Sequence, residues 1–506
     1  MTIGQTQKLA ALSFAEAASL LGKKEISSSE ITETMLERIS ESKNNAYITV
    51  NDQAMQAASA ADKRRSEGRP LSEWDGVPVA LMDNFCVKDM KMTCASRMLE
   101  NFIPPYDGDA AEKLEKAGTI LLGKLNMDEF AAGNASDQSL FGAVKNPLDP
   151  ARVAGGAAGG PAAAVAEGTA YITLGSDTGG SVRRPAAFCG IVGLKPTYGR
   201  VSRFGVAHFA SSLDQVGPLG KTVEDCALAL ALIAGHDERD ACSLPDTPSD
   251  YRAGLRGVDG LKGIRVGLPR EYMGQEIHSE IREKVEQLAE KLREAGASVE
   301  ECSLPHTQYA LSAYYVISSG EFNSNMARYD GVKFGYRAKR YDGYEDMLCK
   351  TRAEGFGDEV KRRILFGLYT LRAGCFDDYF LKAQKVRGLI IDDFRQAFTQ
   401  YDLLLTPSTP TVAWKLGTVF ENPAEAYAMD FCTVAASLAG LPAISVPWGL
   451  DKDAMPIGAQ LIGPALSEAL LLQAAHGAQA LGRLVFGLPD TQELSSGSQK
   501  GERKDV

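Results

Sequence analysis

The sequence predicts an α/β protein: a mixed or mostly parallel β-sheet covered by helices on both faces. Three observations point there. Short apolar runs closed by turn residues alternate with segments of helical periodicity, the order expected when helices connect strands of one sheet. The 506 residues are 44% hydrophobic and 24% charged, an ordinary composition for a soluble globular chain with ample length for a sizeable core. No stretch is apolar for the ~18 residues that a membrane span requires.

The elements follow in chain order. Residues from Ser13 to Arg65 read mainly as helix, with SSSEITETMLERI setting N-cap serines ahead of apolar residues at helical spacing. GVPVALMDNF is a short apolar strand closed by polar turn residues. AAEKLEKAGTILLGKLN reads as a helix, a glycine stop and a buried strand. PAAAVAEGTAYITLGSDTGGS repeats that order, with Pro161 suited to a first helical turn. The Pro/Gly/Asp-rich stretch 240–262 is a connection. GIRVGLP is then a strand, and SEIREKVEQLAEKLREAGASVEE an amphipathic helix that stops at Gly296. YDLLLTPSTP and GLPAISVPWGL read as strands, and LSEALLLQAAHGAQAL as a late helix. The expected organisation is a helical segment over 1–65 and one α/β domain over 66–490, with a Gly/Ser-rich core at 76–235 and a C-terminal part at 263–490. The polar stretch 491–506 reads as a disordered tail.

The formal charge of −11 and pI of about 5.2 argue against a basic nucleic-acid-binding face, and no P-loop is present. No direct nucleic-acid or membrane partner is expected. The nine cysteines are scattered without a C-x-x-C pair, and the five histidines share no metal-ligand spacing. No metal or organic cofactor is expected. The first thirty residues lack the pattern of a secretory signal, so the expected location is cytoplasmic.

Chemistry concentrates between Gly155 and Pro196, where glycine is dense: GGAAGGPAAAVAEG, then LGSDTGGSVRRPAAFCGIVGLKP. Glycine pairs let backbone approach a ligand and turn N–H groups inward. The run from Asp177 to Ser181 would present Ser181 on a tight turn, with the N–H groups of Thr178, Gly179 and Gly180 as an oxyanion site. Taken alone, such a loop is equally compatible with a structural turn.

The wider wording is more specific. KLNMDEFAAGNASDQSLFG, GSDTGGSVRRPAAFCGIVGLKPTYGRVSRFG, FASSLDQVGPL and RAEGFGDEVKRRI resemble the amidase signature family, and within it the A subunits of tRNA-dependent amidotransferases. The resemblance runs from GVPVALMDNF through GLPAISVPWG. It implies the amidase-signature fold and a Ser–cis-Ser–Lys device. A lysine at the end of the GVP strand acts as base, a serine in a GGSSGG loop relays the proton, and the last serine of D-T-G-G-S attacks. A serine hydroxyl is a poor nucleophile without an adjacent base.

Here the nucleophile position holds Ser181, but Met82 replaces the lysine and Ala157 the relay serine. Neither side chain can take a proton. Pro161 and Arg184 also depart from the family's usual wording, a small polar residue and a glutamine. Lys88 is close by in sequence, with its direction undetermined. The resemblance further matches Arg363 to a glutamine α-carboxylate, Asp430 to its α-ammonium and Tyr314 to a neighbouring contact. The expectation is therefore a pseudoenzyme or scaffold that resembles the A subunit of an amidotransferase. It would bind glutamine or a similar amino acid without cutting it, in company with B- and C-type subunits. The alternatives are a working glutaminase subunit for tRNA-dependent amidation and a stand-alone amidase with an altered base.

Overall fold

The apolar runs assemble into one eleven-stranded sheet. It is seen in a computed structural model that describes residues 3–245, 250–420 and 422–486. The strands are β1 (Tyr47–Val50), β2 (Pro78–Met82), β3 (Ile120–Leu125), β4 (Ile172–Asp177), β5 (Val192–Lys195), β6 (Gln215–Gly220), β7 (Arg265–Pro269), β8 (Ser298–Cys302), β9 (Leu403–Pro407), β10 (Ala443–Leu450) and β11 (Pro456–Ile462). Their spatial order is β1-β3-β2-β4-β6-β5-β10-β11-β9-β7-β8. β2 runs parallel to both β3 and β4, and β7 parallel to both β8 and β9. The central run β4-β6-β5-β10-β11-β9 is antiparallel throughout. The sheet is therefore mixed, which settles the alternative of a mostly parallel one.

Every residue of β2, β4, β6, β9 and β11 is buried, so helices cover both faces. Gly159–Glu167 packs on β4, Val223–Ile233 on β6 and Glu468–Phe486 on β10. Pro161 sits in the first turn of its helix, and Gly168 ends that helix at φ +74°. The helix Ser28–Glu41 begins as the serine cluster predicts. The Glu30 N–H donates to Ser27 Oγ at 3.1 Å, and Ser27 N–H donates back to Glu30 Oε2 at 2.7 Å.

Several expectations need correction. The segment 1–65 is not helix alone, because β1 pairs antiparallel with β3 and closes one edge of the sheet. Phe14 also stacks on Trp74 at 4.8 Å, so packing crosses the expected boundary at 65. The amphipathic helix occupies Ser279–Glu294, and the residues after Gly296 form edge strand β8. The connection 240–262 contains a short 3-10 turn, Gly257–Leu261. The expected tail 491–506 lies outside the described residues. Among the described residues no helix is long and apolar enough to cross a membrane.

Replacing Ser27 by alanine removes the Oγ that accepts from the Glu30 N–H and leaves the backbone N–H that donates to Glu30. The unfolding free energy should fall by about 1 kcal/mol, read from urea denaturation. An unchanged midpoint would show that the cap contributes nothing.

Candidate functional site

The site is built where β2 and β4 end beside the loop that follows β4. Asp177 closes β4 and organises this loop. Its carboxylate accepts from the N–H groups of Gly180 (2.8 Å) and Val182 (3.1 Å), and from Arg183 Nε (3.0 Å) and Nη2 (2.9 Å). Both side chains are fully buried. Burial works to raise the Asp177 pKa, but the Arg183 guanidinium outweighs it and brings the carboxyl down to about 2. Arg183 also donates to Thr433 O, Gln460 Oε1 and Ser437 Oγ, tying the loop to the C-terminal third of the chain.

The two loop glycines are required by close approach. A Cβ on Gly179 would lie 2.4 Å from the Tyr314 hydroxyl, and one on Gly180 would lie 2.2 Å from Thr433 Oγ1. Thr178 Oγ1 donates to Asp214 at 2.6 Å. Of the expected oxyanion donors, Gly180 must be removed, because its N–H is already committed to Asp177. The N–H groups of Thr178 and Gly179 make no recorded hydrogen bond among the described residues. They remain available.

Ser181 is 7% exposed, and its carbonyl accepts from Ala158 N–H at 3.0 Å. Ala157 belongs to the same contact region. The Gly156–Ala157 peptide bond is cis, and the Ala157 carbonyl accepts from Ser136 Oγ at 3.0 Å. Met82 ends β2, fully buried, with its sulfur 4.0 Å from Ser176 Oγ. Ser176 accepts from Asn84 Nδ2 at 2.9 Å, and Asn84 Oδ1 is buried without a partner. The slot thus keeps polar neighbours: the Ser176 hydroxyl donates to the Met82 sulfur, and the Asn84 amide oxygen stays unpartnered.

No recorded hydrogen bond links Ser181 Oγ to a lysine, histidine or carboxylate among the described residues. Lys88 is exposed. Lys124, not singled out from the sequence, is the fully buried lysine on neighbouring strand β3. Its Nζ is held by Phe85 O (2.6 Å) and Asp83 Oδ1 (3.4 Å). Asp83 is itself bonded to Thr93, and burial raises its pKa. Among the described residues no group of three or more His, Cys, Asp or Glu side chains could hold a metal ion.

A second cluster adjoins the loop. Arg363 is 5% exposed; its Nε donates to Glu359 at 2.7 Å, and its guanidinium lies over the rings of Tyr315 (4.5 Å) and Tyr427 (4.6 Å). Its Nη1 is buried without a hydrogen-bond partner. Arg363, Glu359 and Tyr427 line a cleft of about 340 Å³, together with Asn134. Asp430 does not stand free, as an ammonium site requires. One of its oxygens meets Arg184 Nη2, and the other accepts from Tyr315 Oη at 2.5 Å. Arg184 Nη1 donates to Gly156 O at 3.0 Å, reaching the loop that carries Ala157. The structure therefore brings Tyr314, Arg363 and Asp430 near the Gly179 loop, with Asp430 paired to Arg184 and Tyr315. Arg184 stood out in the sequence as a departure, and only folding revealed what it reaches.

Known proteins share this architecture. The family model described as Amidase matches residues 30–472. The A subunit of glutamyl-tRNA(Gln) amidotransferase from Heliobacterium modesticaldum is 48% identical over 478 residues, covering 94% of this chain and 98% of that relative. The protein of the same description from Moorella thermoacetica is 50% identical over 464 residues, covering 91% and 94%. Among solved structures, the A subunit of glutamyl-tRNA(Gln) amidotransferase from Thermotoga maritima matches with a TM-score of 0.77 and 36% identity, covering 93% of this chain and 94% of that one. A peptide amidase from Stenotrophomonas maltophilia matches at 0.79 and 30%, covering 93% and 97%.

Two tests probe this architecture. Arg183→Met leaves Asp177 buried without its counter-charge and should lower the unfolding free energy by about 3–5 kcal/mol. Adding Asp177→Asn to it should recover part of the loss, and a single variant as stable as the parent would refute the assignment. Glu129 accepts from Gly357 N–H at 2.8 Å, just before the helix that carries Arg363. Burial pushes its carboxyl up to about 7, against the lowering bonds from Ser96 and Gly357. The unfolded carboxyl titrates near ~4.3. Between those values the folded state holds the extra proton, so this contribution to stability falls as pH rises towards 7. Glu129→Gln should flatten the fall of Tm between about pH 5 and 7; an unchanged slope would place the titration elsewhere.

Proposed function

The chain belongs to the amidase family, and from that premise we propose that it is a relative of the amidotransferase A subunits that no longer hydrolyses amides and keeps a pocket for a small carboxylate-bearing ligand. One observation carries this reading: among the described residues no hydrogen bond joins Ser181 Oγ to a lysine, histidine or carboxylate, and Met82 and Ala157 fill the two positions where the family resemblance calls for lysine and serine. Residues of this kind act as a unit, and loss of the base removes most of the rate. The N–H groups of Thr178 and Gly179 could polarise a carbonyl, but without a stronger nucleophile the gain is small. By the same reading the protein works beside B- and C-type subunits that handle ATP and tRNA.

A second reading has its own support. The relatives at 48–50% identity bear the name of a glutamyl-tRNA(Gln) amidotransferase component, and their likeness to this chain favours a working glutaminase that feeds tRNA-dependent amidation. Such an enzyme needs a base other than residue 82. Lys124 would have to leave Asp83 and Phe85 O to serve.

Ammonia release from glutamine separates the two. The unmodified chain, alone and with B- and C-type subunits, should stay at background. Met82→Lys with Ala157→Ser should raise the rate roughly a thousandfold, because Ser176 and Asn84 Oδ1 already offer the polar surroundings an ammonium needs. Ordinary turnover by the unmodified protein would overturn the proposal.

A further inference from the structure

The cleft at Arg363 differs from an amino-acid site in one respect. A zwitterion needs a buried cation for its carboxylate and a buried anion for its ammonium. The cation is present: Arg363 is nine-tenths buried and has an unpartnered Nη1. The anions are already taken. Glu359 pairs with Arg362 and Arg363 and accepts from Tyr427 Oη at 3.0 Å. Asp430 pairs with Arg184 and accepts from Tyr315 Oη. Arg184 is 2% exposed and is held at its other end by Gly156 O, so it is an internal component of the fold rather than a mobile surface side chain. Its Nε is a second buried donor without a partner. The unpartnered groups on the two arginines are thus N–H donors. The carboxylates that could receive an incoming ammonium, Asp137 and Asp358, lie exposed at the rim, where water screens them.

We propose that Arg184 is a specificity-determining residue: it neutralises Asp430 from within the protein, so that the cleft takes a small monocarboxylate without an α-ammonium group in preference to an amino acid. This rests on the reading of the cleft as a ligand pocket given above. Asp430 does not line the cleft itself but joins it through Tyr315, which donates to Asp430 and lies under Arg363; an ammonium that reached Asp430 would have to displace the guanidinium bonded there and would then face its positive charge. A ligand carrying only a carboxylate meets Arg363 Nη1 and leaves the Arg184–Asp430 pair intact.

Glutaramate, which is glutamine without its α-amino group, is the matched probe. Calorimetric titration of the full chain should give a glutaramate Kd at least roughly tenfold below that of L-glutamine. Arg184→Gln, which frees Asp430, should reverse the order of the two ligands, and Arg363→Gln should weaken glutaramate by roughly tenfold or more. Equal or tighter binding of glutamine by the parent protein overturns the proposal, as does binding of neither ligand or a ratio that Arg184→Gln leaves unchanged. If Arg184→Gln does not fold, as judged by its thermal transition, the ratio in the parent protein decides alone. Glutaramate carries the same amide as glutamine. If ammonia is released after all, the ratio of kcat/KM for the two compounds replaces the ratio of Kd, and only the preceding reading falls.

Discussion

The buried pair between Asp177 and Arg183 is the interaction on which the site depends. Two opposite charges with no exposure hold each other and five further groups: the N–H groups of Gly180 and Val182, and acceptors on Thr433, Ser437 and Gln460. Each charge is tolerable only because the other and its hydrogen bonds replace the lost water. The consequence is geometric. The turn that displays Ser181 cannot move independently of β11 or of the Thr433 region, which also supplies the side chain that fills the space above Gly180. The display of Ser181 is therefore held independently of the residue at position 82.

Met82 sits in its slot with no exposed surface. Its surroundings stayed polar, with Ser176 at 4.0 Å and an unpartnered amide oxygen on Asn84. The neighbouring lysine on β3 is engaged by Asp83, a group that serves the strand ends rather than the hydroxyl. Arg184 belongs to the same pattern of change. It adds a positive group beside Asp430 while position 82 lacks one, and both changes fall on residues that contact the Gly156–Ser181 region.

Much of this was legible in the residues. The strands that read clearly, β2, β3, β4, β7, β9 and β10, are apolar runs bounded by glycine, proline or polar turns. The ones that did not read are short or glycine-rich. β5 spans Val192–Lys195, and β6 contains two glycines and a proline, so pairing partners rather than local propensity make them strands. β1 lay hidden between helices, and β8 was absorbed into the tail of an amphipathic helix pattern. β11 lacks a signal that distinguishes it from loop until β9 and β10 flank it.

The sequence by itself determined the α/β class, the Gly-rich loop that presents Ser181, and the chemical fact that positions 82 and 157 can accept no proton, because side-chain identity settles basicity without any coordinates. Tertiary structure decided what those side chains face. That Arg183 reaches Thr433, Ser437 and Gln460, that Lys124 is held by Asp83 and Phe85 O, and that Arg184 lies on Asp430 across 246 positions of chain (430 − 184) are matters of long-range contact. Hydrogen bonds and ion pairs act over a few ångströms, and only the folded chain brings such distant residues within that range.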